Sequence, residues 1–135
     1  MPKTLGVTPI GRFDYSPIIA GNSPWSVTLA VTLKAGKVYK PGSVLGYEDA
    51  TGLCDLVDST LTGGLQKPYA VLAGIDRYGE EVDATAGDTV AAAWVMGDFA
   101  REFLTFGGTD TWETHARAAR DVGLIFRKTA TAPNE

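Results

Sequence analysis

The sequence predicts a mostly antiparallel β domain with one helix near its C-terminal end. Three observations lead there. Trp25, Val27, Leu29, Val31 and Leu33 alternate with Ser26, Thr28, Ala30 and Thr32, the period of two expected of a strand with one buried face. Glycine is abundant, 16 of 135 residues, and punctuates short apolar runs at turn signals such as Ala35-Gly36, Pro41-Gly42, Thr51-Gly52 and Ala86-Gly87. Only one segment has helical spacing: Trp112, Ala116 and Ala119 form a single stripe, with Gly123 at the expected stop.

The elements follow in order. Residues 1 to 24 hold Pro2, Pro9, Pro17 and Pro24, four of the 7 prolines. That density blocks helices and disfavours central strands. The segment is nevertheless rich in apolar anchors, namely Leu5, Val7, Ile10, Phe13, Tyr15, Ile18 and Ile19, with only Lys3, Arg12 and Asp14 charged. A disordered linker is more polar than this. The expectation is an extended N-terminal arm that lies either on its own domain or on a neighbouring chain. The rest, 25 to 135, reads as one β-rich domain, with 129 to 135 as a frayed tail.

Within that domain, a strand over Trp25 to Leu33 is followed by a short one over Lys37 to Lys40. Lys40-Pro41-Gly42 places Pro and Gly where a type II turn requires them. Further strands are expected over Ser43 to Glu48, Leu53 to Val57 and Tyr69 to Ile75. Thr89 to Met96 is the most apolar run and reads as a central strand. Asp98 is expected to cap a short helical piece carrying Phe99 and Phe103. Asp110 and Glu113 have capping-box spacing for the main helix, over about Thr111 to Val122. Leu124 to Arg127 is the last strand.

Composition bounds the function. A chain of 135 residues with 44% hydrophobic and 21% charged residues suits one globular domain. The formal net charge of -4, with 12 Lys and Arg scattered along the chain, argues against nucleic acid as a partner. The single cysteine, Cys54, allows no internal disulfide, which fits a reducing compartment. No apolar run approaches the roughly 18 residues of a membrane span. The N-terminus lacks the charged-then-apolar order of a signal peptide.

Candidate chemistry is sparse. His115 is the only histidine and falls on the predicted helix, where it reads as a surface or packing residue rather than a base. A Ser-His-Asp arrangement would have to use it. Cys54 reads as a small core residue. One His and one Cys, far apart, do not supply a metal site. The acidic groupings, Asp55 with Asp58 and Glu80 with Glu81 and Asp83, read as solvated strand ends. No phosphate-binding glycine loop precedes a helix. No catalytic residue, metal or cofactor is therefore expected.

Several stretches resemble the lambda-type bacteriophage head decoration proteins. SVTLAVTLKAGKVYKPGSVLGYE is similar to that family's strand, glycine turn and V-L-G element. PYAVLAGIDRYGEEVDATAGDTVAAAWVMGDF resembles its later half, with A-V-L-A, an A-G-D turn and a strand ending in G-D-F. AARDVGLIF is similar to the family's L-R-D-x-G-I close, with Ala119 and Leu124 in place of Leu and Ile. The resemblance implies a β-clip-like bent ribbon or partial barrel. It implies a homotrimer on the outer surface of the expanded head, at three-fold and quasi-three-fold sites, that stabilises the shell against packed DNA. The implied partner is the major capsid protein, contacted by the arm through Leu5, Val7, Ile10, Phe13, Tyr15, Ile18 and Ile19. The alternatives are another virion part, such as a tail or head-completion protein, and a trimeric nucleotide hydrolase of the dUTPase kind, whose motifs are not found here.

Overall fold

The structure is a computed structural model, and it describes Ile18, residues 26–74 and residues 80–128. Among these residues the strands are β1 (Val27–Leu33), β2 (Val38–Tyr39), β3 (Val44–Tyr47), β4 (Cys54–Leu56), β5 (Ala70–Gly74), β6 (Val82–Asp83), β7 (Thr89–Ala100) and β8 (Leu124–Arg127). A 3-10 turn spans Arg101–Phe103, and helix α1 spans Trp112–Asp121. Strand order is β1-β4-β3-β5-β7-β8, and β1 also pairs with β7. That last pairing closes β1, β4, β3, β5 and β7 into a five-stranded partial barrel. β8 is left outside the ring, on the far half of β7. β2 and β6 form a separate two-stranded ribbon.

β7 organises the molecule because it is long enough to do two jobs. Its first part pairs antiparallel with β1, Leu33↔Thr89 through Val27↔Met96, and with β5 at Val71↔Trp94. Its last four residues pair parallel with β8, Gly97↔Leu124 through Ala100↔Arg127. Gly97 marks the changeover. Its φ is 145°, and a Cβ there would sit 2.9 Å from Ser26 Oγ and 3.2 Å from the Phe99 ring, so only glycine lets β7 pass this point.

Two apolar clusters follow from the closure. Inside the barrel lie Val31, Leu33, Leu45, Cys54, Ala70, Leu72, Ala91 and Ala93, with Tyr39, Val82 and Ala84 covering one end. The second cluster lies against α1 and β8. It contains Ile18, Val44, Val57, Val71, Ala73, Trp94, Phe99, Ala119, Leu124 and Phe126. β5 supplies alternate residues to each cluster, so both of its faces are buried. A continuous apolar run, rather than an alternating one, is what that position demands. Pro41 and Gly42 make the expected tight turn: Ser43 N–H donates to Lys40 O at 3.0 Å, and Gly42 has φ 90°.

Three expectations are corrected. Asp98 caps no helix, because Asp98, Phe99 and Ala100 continue β7, and only Arg101–Phe103 turns. The backbone hydrogen bonds offered by β8 outcompete a short helix there, and the Asp98 carboxylate pairs instead with Arg127 at 3.0 Å. The N-cap of α1 is Thr111, whose amide donates to Thr114 Oγ1 at 3.1 Å; Asp110 and Glu113 do not form the box. In β1 the alternation is buried only at its C-terminal end. Val31 and Leu33 are inside, while Val27 and Leu29 are 40% and 52% exposed, since the barrel interior ends before them. The pairing is mostly antiparallel, as expected, with parallel contacts only at β7–β8 and β1–β4 among the named strands.

The helix stripe holds. Ala119 is buried, and Trp112 and Ala116 pack on the second cluster. Glu113 in the first turn and Arg120 in the last match the helix dipole. Cys54 is the small core residue expected of it, in β4.

Candidate functional site

The residues with chemical potential are engaged in holding the fold. His115 is 3% exposed, and its Nε2 lies 2.7 Å from Asp110 Oδ2. Asp110 also accepts the Ser59 N–H at 2.6 Å and the Ser59 hydroxyl at 2.8 Å. Burial works against the Asp110 charge, but the hydrogen bonds from His115 and Ser59 outweigh it and hold the carboxyl below its usual range. The carboxylate sits between the serine and the histidine. The imidazole therefore does not receive the serine proton, as a nucleophilic triad needs. The group instead ties the loop after β4 to α1, and the His115 ring stacks on Phe106 with centroids 5.7 Å apart.

The other candidates are similarly occupied. Burial, then the nearby Asp55 charge, pushes the Cys54 thiol up to about 11, so it is a poor nucleophile at neutral pH. Asp55 is taken by Lys37 at 2.9 Å and by the Tyr39 hydroxyl at 3.1 Å. Burial, followed by Asp55, also raises the Tyr39 hydroxyl. Asp58 accepts from Thr60, and Asp83 from Thr85. Glu80 and Glu81 are exposed. Among the described residues no group of three His, Cys, Asp or Glu is placed to hold a metal, and no helix is long and apolar enough to cross a membrane.

What remains available is contact surface. Val27, Leu29, Val90 and Met96 are exposed on paired β1 and β7, and Val38, Phe103 and Val122 are exposed elsewhere. Tyr47 and Tyr69 pack ring against ring, centroids 4.9 Å apart, beside a shallow groove of about 270 Å³ bordered by Ala30, Thr32 and Val90. A second groove, of about 440 Å³, runs between α1 and β8; Trp112, Ala116 and Phe126 line it with Glu113, Arg117 and Arg120.

Of the predicted arm contacts, Leu5, Val7, Ile10, Phe13, Tyr15 and Ile19 lie outside the described residues. Ile18 is 6% exposed and packed in this chain's own second cluster, and its carbonyl accepts the Ala100 N–H at 2.7 Å. Its side chain is therefore used by its own domain. Sequence reasoning could not separate it from Ile19, because both follow Pro17 in an apolar, uncharged stretch. It also missed the Tyr47–Tyr69 pair, which joins the end of β3 to the residue just before β5 and carries no local signal.

Fold and surface together define a small β-barrel building block whose available features are contact faces. The chain belongs to the bacteriophage lambda head decoration protein D family, whose model matches residues 14–126. That family is one of structural capsid components rather than enzymes, and membership gives this chain a capsid decoration role in the virion. No match was found among curated proteins.

Proposed function

We propose that this protein binds the outside of the expanded phage head as a homotrimer, at three-fold and quasi-three-fold positions, and stabilises the shell against the pressure of packed DNA. The observation that carries the reading is the family match over residues 14–126, which spans the whole barrel, α1 and all of β8 but its last residue. The partner is the major capsid protein. The arm supplies Leu5, Val7, Ile10, Phe13, Tyr15 and Ile19 to that partner, while Ile18 holds the root of the arm to the body. An apolar arm with few charges suits addition to a sheet edge, where backbone hydrogen bonds give affinity and alternate side chains give fit. Three arms on one trimer raise apparent affinity by roughly a hundredfold or more without new contacts.

The test is to mix purified protein with expanded and unexpanded shells of its own phage and follow bound mass by light scattering. Saturation near three copies per three-fold site on expanded shells is the expected result. Failure to bind expanded shells would overturn the reading.

A further inference from the structure

Two surfaces at opposite ends of β7 are complementary in charge, yet cannot meet within one chain. The first is the β2–β6 ribbon. Val38 pairs with Asp83 across it and is 46% exposed. Exposed Glu80 and Glu81 lead into β6, whose Asp83 is also exposed; of the two lysines flanking β2, Lys37 is paired with Asp55 and Lys40 is exposed, so among the described residues carboxylates outnumber unpaired cations at this end. The second is the groove between α1 and β8. Its floor is Trp112, Ala116 and Phe126, and its rim carries Arg117 and Arg120 against Glu113. Arg101 adds a third cation, stacked 4.0 Å over the Trp112 ring.

Glu80, Glu81, Arg117 and Arg120 are all exposed, and none has an ion-pair partner among the described residues. The ribbon packs Val82 against the barrel cluster that contains Ala91, whereas groove-lining Phe126 pairs with Phe99. Ala91 and Phe99 are eight steps apart on one strand, or about 26 Å. The acidic knob of one molecule therefore cannot reach its own basic groove. Two grooves facing each other would bring together Arg101, Arg117 and Arg120 of each copy against only Glu113 of each, so a two-fold contact through this surface is disfavoured.

We propose that the β2–β6 ribbon of one copy docks into the α1–β8 groove of the next. Val38 covers the Trp112, Ala116 and Phe126 floor, and Glu80 and Glu81 meet Arg117 and Arg120. Such a contact is heterologous, and three copies related by a closing rotation satisfy every knob and every groove. The inference rests on the trimer of the proposed function and specifies its interface. The charged rim fixes orientation and excludes wrong pairings more than it adds affinity, and the apolar knob supplies the burial.

A charge swap on the full chain tests it. The variants are R117E/R120E, E80R/E81R and the four-fold combination, with folding of each checked by circular dichroism. The readout is the concentration at which three copies assemble, taken by light scattering in solution and from the sigmoidal isotherm on expanded shells. Each double reversal is expected to raise that concentration about tenfold or more, and the combination to restore it, because two exposed pairs become two repulsions and then pairs again. Unchanged assembly in both doubles, or a combination as weak as the doubles, overturns the ribbon–groove contact and leaves the trimer reading standing. A wild-type chain that never assembles in threes, in solution or on shells, overturns the trimer reading and the contact with it.

Discussion

Replacing Ile18 by Ala separates an arm residue that serves the partner from one that serves its own domain. Ile18 is 6% exposed among Val44, Val71, Trp94 and Phe99 of the second cluster. The substitution removes three carbons from a nearly closed environment. At about 0.8 kcal/mol per buried methylene, the transfer loss is about 2.4 kcal/mol. The cavity left beside the rigid end of β7 adds to this, giving about 2.5–4 kcal/mol, within the range of buried Ile→Ala changes. The assay is urea unfolding of the purified protein without shells, at fixed protein concentration because assembly would add concentration-dependent stability. Trp94, in the same cluster, contributes to the fluorescence signal. With a slope of about 1–3 kcal/mol per molar urea, the midpoint should fall by about 0.8–4 M. Ile18→Val should cost about 0.5–1.5 kcal/mol. A loss below about 1 kcal/mol for Ile18→Ala would refute the reasoning, since Ile18 would then not be packed in the free protein.

Three further outcomes follow from the same geometry. Removing residues 1 to 24 should abolish binding to expanded shells while leaving a folded body, at a stability cost of at least about that of Ile18→Ala. Asp110→Asn should destabilise the protein by about 1–3 kcal/mol at pH 7, because buried His115 loses its charged partner and Ser59, which is exposed, loses a charged acceptor. The Asp110 pKa is depressed in the folded state, so its contribution is present above the ordinary aspartate value of about 4 and is lost as pH falls through the lower folded value. Thermal scans from pH 7 down to pH 3 should therefore show a shallower acid decline in the variant than in wild type. Gly97→Ala should cost about 2 kcal/mol or more in urea unfolding, from the left-handed φ together with the close approach of Ser26 and Phe99; a neutral result would mean that the strand changeover at Gly97 is not required.

How much was legible in the sequence divides along physical lines. The positions of most strands along the chain, the Pro41-Gly42 turn and the stripe of α1 are local signals, written in residues two to four apart, and the structure reproduces them. The Asp98 to Phe103 piece was misread because its local signal, a capping residue before aromatics, competes with strand partners 27 residues later, such as Ile125 for Asp98. The helix cap was misplaced by one residue because Asp110 was already engaged with Ser59, 51 residues away. His115 was placed on the helix and read as packing or surface; that it is buried depends on the loop after β4 delivering Asp110 a second partner.

By itself, the sequence determined a mostly β protein with one helix, a chain of turns, a chemistry-poor complement of His and Cys, and motifs in the order of the head decoration family. Period, propensity and turn geometry act over a few residues, so they can be read without knowing the fold. Only the tertiary structure decided that β7 closes a barrel with β1 and then leaves it at Gly97 for β8, that Val27 and Leu29 fall beyond the barrel interior, and that Ile18 belongs to the core. It alone put the acidic ribbon and the arginine-rimmed groove at opposite ends of one strand. Each of these depends on which of two possible faces meets a distant segment, and a period of two is the same whichever face is buried.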